Sequence, residues 1–286
     1  MGASPKTSVV YLDESFIYQH YKRHNDSLLD PSDDLDVQRK ETHKGRRYCF
    51  IAGIMDSPDM ECQVVALDTF RGGKSTAKQP KDYHAMSNHD YLLKWFAKLL
   101  AELGDMGVAN AYIVMDNTKY HKGRPVGTPT SRLCKTTLQA ACTRYGIPFE
   151  PTDFKSILWE NLSAYIEKHI QPQVVQMAID KGHRVVFTPP YDSDLQPIEL
   201  VWANVKGHVG RRYTDGTGLA DVKERLEEAV EELKASTIQG CIKAAEGNLQ
   251  KLYEHLLAID GLQSDEEPSA QSGSDSDAES DCEHSS

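Results

Sequence analysis

Three short apolar runs follow one another early in the chain, and later apolar runs are separated by segments of helical periodicity. SVVYLD (8–13), YCFIAGIM (48–55) and ECQVVALD (61–68) are β-branched or aromatic runs bounded by turn residues, and they read as three consecutive strands of an antiparallel meander. From His89 to Leu103 the apolar residues Tyr91, Leu92, Trp95, Phe96, Leu99, Leu100 and Leu103 recur at helical spacing, with Gly104 as the expected stop. AYIVMD (111–116) and HRVVFTPP (183–190) are further strands. Helical stretches lie between them at 131–145 and 155–180, the second divided at Pro172. A helix follows Asp194 through about Val209, tolerating Pro197 in its first turn, and closing helices are expected at 218–235 and 236–258. A meander followed by strands alternating with helices specifies an α/β layered domain rather than a barrel or a bundle.

The polar segments punctuate this order. DPSDDLDVQRKETHKGRR (30–47) carries both charges and reads as a long loop, and RGGKSTAKQPK (71–81) reads as a second, purely basic one. The net charge of −11 is concentrated at the C-terminus, where residues 264–286 hold eight acids and no Lys or Arg. Without them 35 acids face 32 bases, so the body carries about −3 and can hold basic patches. That Ser/Asp/Glu-rich tail is too polar to bury a core and is expected to be disordered. No apolar run reaches the ~20 residues that span a bilayer, and the first residues lack the apolar stretch of a secretory signal. The six cysteines are scattered, with no pair at zinc-binding spacing, and read as reduced thiols. An intracellular protein with no membrane partner is the expectation.

Three acids stand out as candidates for chemistry. Asp13 and Asp116 close strand-like runs, and Glu199 opens a helix-like one, so three distant segments can bring carboxylates to one place. Two Mg²⁺ ions held by a few carboxylates can both activate a weak oxygen nucleophile and stabilise a departing 3′ oxygen in phosphodiester cleavage. Mn²⁺ is expected to substitute. Asp13 is the candidate for the bridging ligand, with Asp116 and Glu199 completing the shells. Each acid has a plainer reading: Asp often ends a strand, and a Glu in the first turn of a helix complements its dipole. Asp192 and Asp194 compete with Glu199 as third ligand, Asp194 being better suited to cap the helix that follows.

The words around the acids favour the chemical reading. Asp13-Glu14-Ser15, Asp116-Asn117 with His121, and the run Ser193 to Glu199 (SDLQPIE) followed by Trp202 resemble, in this order, the catalytic domain of Tc1/mariner (IS630-like) DDE transposases. GRRYCFIAGI and DYHAMSNHDYLLKWF extend the resemblance over residues 8–212. It implies an RNase H-like α/β fold, a mixed five-stranded sheet flanked by helices, and metal-dependent DNA cleavage and strand transfer at transposon ends. The implied organisation is a short extension (1–7), a catalytic domain (8–212), closing helices (213–262) and the acidic tail (263–286). The 82 residues from 117 to 198 are more than familiar members hold there, so a helical insertion at about 146–180, before the last strand, is expected. Such transposases also carry N-terminal helix-turn-helix domains that read transposon ends, and the sequence starts a few residues before its first strand. The implied partners are therefore DNA, a second copy of the chain in a homodimer, and a separate helix-turn-helix protein, in the nucleus if the source is eukaryotic. The alternative is a catalytically inactive, transposon-derived module that binds DNA or protein, and a third reading is an RNase H-like nuclease acting on another nucleic acid.

Basic stretches at 39–47, 71–81, 119–135 and 206–212 are candidates to follow a phosphate backbone, against the plain reading of a solvated charged face. Asn117, Lys119, His121, Asp194 and Lys206 are the residues expected to support the acids or to touch DNA.

Overall fold

The computed structural model describes residues 7–21, 46–72, 89–189, 195–214 and 216–264. The loops expected at 30–47 and 71–81 fall almost wholly outside these residues, and Asp192, Asp194 and the tail beyond Ser264 fall outside them entirely. The chain forms two units, Met1–Glu246 and Gly247–Ser286.

In the first unit, β1 (Val9–Tyr18), β2 (Arg47–Asp56) and β3 (Gln63–Gly72) form the antiparallel meander. β4 (Tyr112–Met115) and β5 (Arg184–Phe187) add in parallel on the other side of β1, giving the order β3-β2-β1-β4-β5. This is the mixed five-stranded sheet flanked by helices that was expected of an RNase H-like domain. The helices are α1 (His89–Asp105), α2 (Lys135–Tyr145), α3 (Lys155–His169), α4 (Gln173–Asp180), α5 (Pro197–Arg211), α6 (Leu219–Glu231) and α7 (Ala235–Ser264).

Alternation along the strands builds two cores, one on each face. Val10 and Leu12 of β1 pack with Leu92, Trp95, Phe96, Leu99 and Leu103 of α1 and with Val174 and Ala178 of α4. On the opposite face Ile17, Phe50 and Ile54 pack with Ile198, Val201, Trp202 and Val205 of α5, and with α6 and the start of α7. The Trp202 ring meets Phe50 edge-on, with centroids 4.9 Å apart, which fixes α5 against the sheet. The segment 146–180, where a helical insertion was expected, holds α3 and α4, and α3 packs with the preceding α2 in a small core of their own around Leu138, Cys142, Leu158, Leu162 and Ile166.

Several boundaries differ from expectation. β1 does not end at Asp13 but runs on to Tyr18, because β2 pairs with it throughout, from Val9↔Asp56 to Tyr18↔Arg47. The polar Asp13-Glu14-Ser15 triplet interrupts the apolar pattern without interrupting the ladder. On its other side β1 pairs with β4 only at Val9–Tyr11, so Asp13 lies just where that edge opens. α1 passes through Gly104 and ends at Asp105. Gly107, at φ 72°, makes the left-handed turn, with Val108 N–H donating to Leu103 O (2.9 Å) and Gly107 N–H to Gly104 O (3.0 Å). Gln196, not Asp194, is the N-cap of α5, because Pro197, with its fixed φ and no N–H, enters directly as the first helical residue. α7 continues to Ser264 rather than stopping near 258.

Two close approaches hold the meander. A Cβ on Gly53 would stand 2.8 Å from Val10 Cγ1 and 3.0 Å from Val65 Cγ2, so β2 admits only glycine there without a shift. Beside it the β2–β3 register slips by one residue, a bulge that leaves Ala66 at φ 55°. α1 stabilises this rare conformation: Glu102 accepts from Ala66 N–H (3.1 and 3.2 Å), and Trp95 Nε1 donates to Ala66 O (2.6 Å).

In the second unit, the described part of α7 exposes Leu249, Tyr253, Leu256, Leu257 and Ile259.

Candidate active site

The strand edge that opens beyond Tyr11 carries Asp13 on the α5 face of the sheet. Asp116 follows directly after β4, the neighbouring strand, and Glu199 lies in the first turn of α5. Their charges bear on Asp13, whose carboxyl is pushed well above the usual carboxylate range, first by burial and then by the negative charges of Glu14, Glu199 and Asp116. Among the described residues nothing forms a hydrogen bond with the buried Asp13 Oδ2. A buried carboxylate oxygen without a donor, in the field of three other acids, is a site short of positive charge.

Lys206 supplies part of it. Two turns after Glu199 on α5, it is half-buried; burial lowers its pKa, while Glu199 and Asp13 pull it back up. Its Nζ also lies 5.6 Å from the centre of the Phe16 ring, and Arg47 Cζ lies 5.1 Å from the same ring. One aromatic side chain with two cations thus borders the acids along β1.

Asp116 is held from behind. Its side chain keeps 35% exposure, whereas His121 is fully buried at 0%. The His121 Nδ1 pairs with Asp116 Oδ1 and lies 3.0 Å from the Asp116 main-chain oxygen, and its Nε2 donates to Glu14 Oε1 at 3.3 Å. Burial alone would lower the imidazole's pKa, but the hydrogen bonds and charges of Asp116 and Glu14 push it up to about 10. Thr118 Oγ1 donates to Asp116 Oδ1 (3.3 Å), and Tyr120 Oη donates to Glu14 Oε2 (3.2 Å). His89, at the start of α1, secures this loop: its Nδ1 donates to Tyr120 O (2.9 Å), and its Nε2 meets the Gln173 amide oxygen (2.8 Å).

Asp13, Asp116, Glu199 and Lys206 are thus brought into electrical contact. His121 lies in the interior against two carboxylates, not at the surface. Asn117 is half-buried and Lys119 exposed on the loop after β4. Asp194 lies outside the described residues. Sequence reasoning missed Glu14 and Tyr120. Glu14 was quoted only as part of the DES word, and the one available signal was a second acid beside Asp13 that strand alternation sends to the other face. Among the described residues, no three His, Cys, Asp or Glu side chains stand close enough to make a ready-built metal cage.

No family model matches the chain, and no curated protein matches it. Among solved structures it is similar to the Mos1 transposase paired-end complex with left transposon end, at TM-score 0.49 and 13% identity, covering 85% of this chain and 53% of that one. It is also similar to the Mos1 mariner paired-end complex with Mn (TM-score 0.42, 13% identity, 83% and 53% covered). The NurA nuclease from Sulfolobus solfataricus matches at TM-score 0.26 and 10% identity, with 73% and 52% covered. The chain spans about half the length of the transposase chains it matches.

Proposed function

We propose that the chain is the catalytic domain of a DDE-type transposase of the Tc1/mariner kind, a divalent-metal-dependent nuclease that cuts DNA at transposon ends and joins the 3′ end to a target. What supports this reading is that Asp116 and Glu199, carried by separate elements, act electrostatically on Asp13, whose buried Oδ2 has no donor. That donor set fits Mg²⁺ or Mn²⁺: oxygen ligands only, in negative excess, with Asp116 partly open to solvent. Asp13, Asp116 and Glu199 would hold the metal. When bound, a pair of such ions supplies Lewis-acid activation of the attacking oxygen and stabilisation of the leaving one.

The chain's own residues do the rest. In the cutting step a water oxygen forms a bond to phosphorus as the P–O3′ bond breaks, and in joining the freed 3′-OH attacks a target phosphodiester in the same way. Lys206 and Arg47, fixed against Phe16, place positive charge beside the acids where a DNA backbone would pass. Exposed Lys119 and the basic stretch from 119 to 135 are further candidates to touch the phosphate backbone. DNA is accordingly the substrate and partner. A homodimer and a nuclear location in a eukaryote complete the reading. No helix among the described residues is long and apolar enough to cross a membrane.

The test is a labelled duplex carrying the element's ends, incubated with the protein and Mg²⁺ or Mn²⁺. Strand cleavage by the wild type and its loss in Asp116→Ala support the assignment; cleavage unchanged in that variant removes it. A second reading, an inactive module that binds DNA or protein, is favoured by two observations: the described residues contain no ready-built metal cage, and Asp116 is already paired with His121. DNA binding without metal-dependent cleavage would select it.

A further inference from the structure

Strand alternation separates two adjacent acids, sending Asp13 to the α5 face and Glu14 to the α1 face. Glu14 is 6% exposed, and both its oxygens are engaged, Oε1 by His121 and Oε2 by Tyr120. A glutamate in that position is not a metal ligand, since it points away from Asp13 and its oxygens are taken. Packing alone does not call for it either, because burying a charge costs more than burying an aliphatic side chain of the same size. What the charge accomplishes is to hold the far nitrogen of an imidazole whose near nitrogen holds Asp116. His121 and Thr118 both act on Asp116 Oδ1, so the grip takes one of its two carboxylate oxygens.

We propose that Glu14 is a positioning residue of the active site: acting through His121, it fixes the Asp116 carboxylate at the open end of β4. The inference rests on the nuclease reading and adds to it a fourth acid that never touches substrate. The loop carrying the brace is anchored independently, by His89 on Tyr120 O and by Gln173 N–H on Gly123 O (2.8 Å), so loss of Glu14 frees Asp116 without releasing the loop. Hydrogen-bonded partners of metal-binding carboxylates are commonly worth about 10–100-fold in metal affinity or activity.

The experiment compares full-length wild type, Glu14→Ala, Glu14→Gln, His121→Ala and the double variant Glu14→Ala/His121→Ala. It measures Mn²⁺ binding by calorimetry, single-turnover cleavage of a duplex, DNA affinity and thermal unfolding. The expected result for Glu14→Ala is a loss of about 10–100-fold in both Mn²⁺ affinity and cleavage rate with DNA affinity unchanged. Glu14→Gln, which keeps an oxygen for His121, restores part of the loss, and the double variant is no worse than His121→Ala alone. If Glu14→Ala does not fold, a several-fold loss of Mn²⁺ affinity in folded Glu14→Gln supports the brace, and wild-type affinity overturns it. Wild-type rate and Mn²⁺ affinity in folded Glu14→Ala, or losses that multiply in the double variant, also overturn it. A wild type that neither binds Mn²⁺ nor cuts DNA refutes the nuclease reading instead. The brace is then judged in the metal-free protein by ¹⁵N NMR of the imidazole: hydrogen-bonded N–H signals on both His121 nitrogens that disappear in Glu14→Ala support it, and a spectrum unchanged by the substitution overturns it.

Discussion

Replacing Asp13 by Asn should make the metal-free protein more stable and deprive it of stabilisation by metal. Asp13 is half-buried, with its Oδ2 fully covered, and lies in the field of Glu14, Glu199 and Asp116, while the cations beside these acids are His121 and Lys206. Three negative neighbours against two positive ones leave one repulsion uncompensated. Two like charges at ~8 Å in a medium of effective dielectric ~20 repel by about 2 kcal/mol. Asp13→Asn removes that repulsion while keeping the shape. In a unit of this size 1 kcal/mol moves the unfolding midpoint by roughly 2–4 °C, so a rise of about 4–8 °C is expected at pH 7 in EDTA. Adding Mn²⁺ reverses the order: at a hundred times its dissociation constant the ion stabilises the wild type by about 2.7 kcal/mol and leaves the variant unmoved. Differential scanning fluorimetry with and without Mn²⁺ reads both effects. A variant less stable than wild type in EDTA would show instead that the Asp13 carboxylate already has a structural partner, and that no such repulsion exists.

Three further outcomes follow from the packing. Trp202→Ala removes the residue that fixes α5 to Phe50 and should cost about 3–5 kcal/mol in urea unfolding. Gly53→Ala forces a methyl group against Val10 and Val65 and should cost about 1–3 kcal/mol by the same measurement, with the midpoint lowered and the slope unchanged. His183 is buried, its Nδ1 accepts from Ala111 N–H (3.2 Å), and burial lowers its pKa. Its neutral form is therefore the folded one: its contribution to stability is present above the ordinary histidine value of about 6.5 and is lost as pH falls through the lowered folded value. Unfolding midpoints measured from pH 7.5 to 5 should show this decline, and His183→Gln should flatten it.

The sheet was legible because each strand carries an unbroken apolar core run, and α1 because its six buried residues keep helical spacing. The full length of β1 was not, since Asp13-Glu14-Ser15 looks like a strand end when the pairing with β2 is unseen. The same blindness hid Glu14: its partners lie more than a hundred residues away, and only the parallel placement of β4 beside β1 brings the loop carrying Tyr120 and His121 onto it. Asp13, Asp116 and Glu199 were legible as candidates from the words around them. Their electrostatic coupling depends on α5 lying across the sheet, which the apolar contacts of Ile198, Val201 and Trp202 determine. The N-cap of α5 was misread because Asp194 is the better capping residue by type, whereas the start of the helix is set by Pro197.

Whether Asp13, Asp116 and Glu199 hold one cation together is read by calorimetric titration with Mn²⁺ in the presence of duplex DNA. The wild type should bind the ion saturably, and each of Asp13→Asn, Asp116→Asn and Glu199→Gln taken singly should abolish that binding. Binding that survives any one of these substitutions undiminished, or no carboxylate-dependent binding in the wild type, would contradict a shared site.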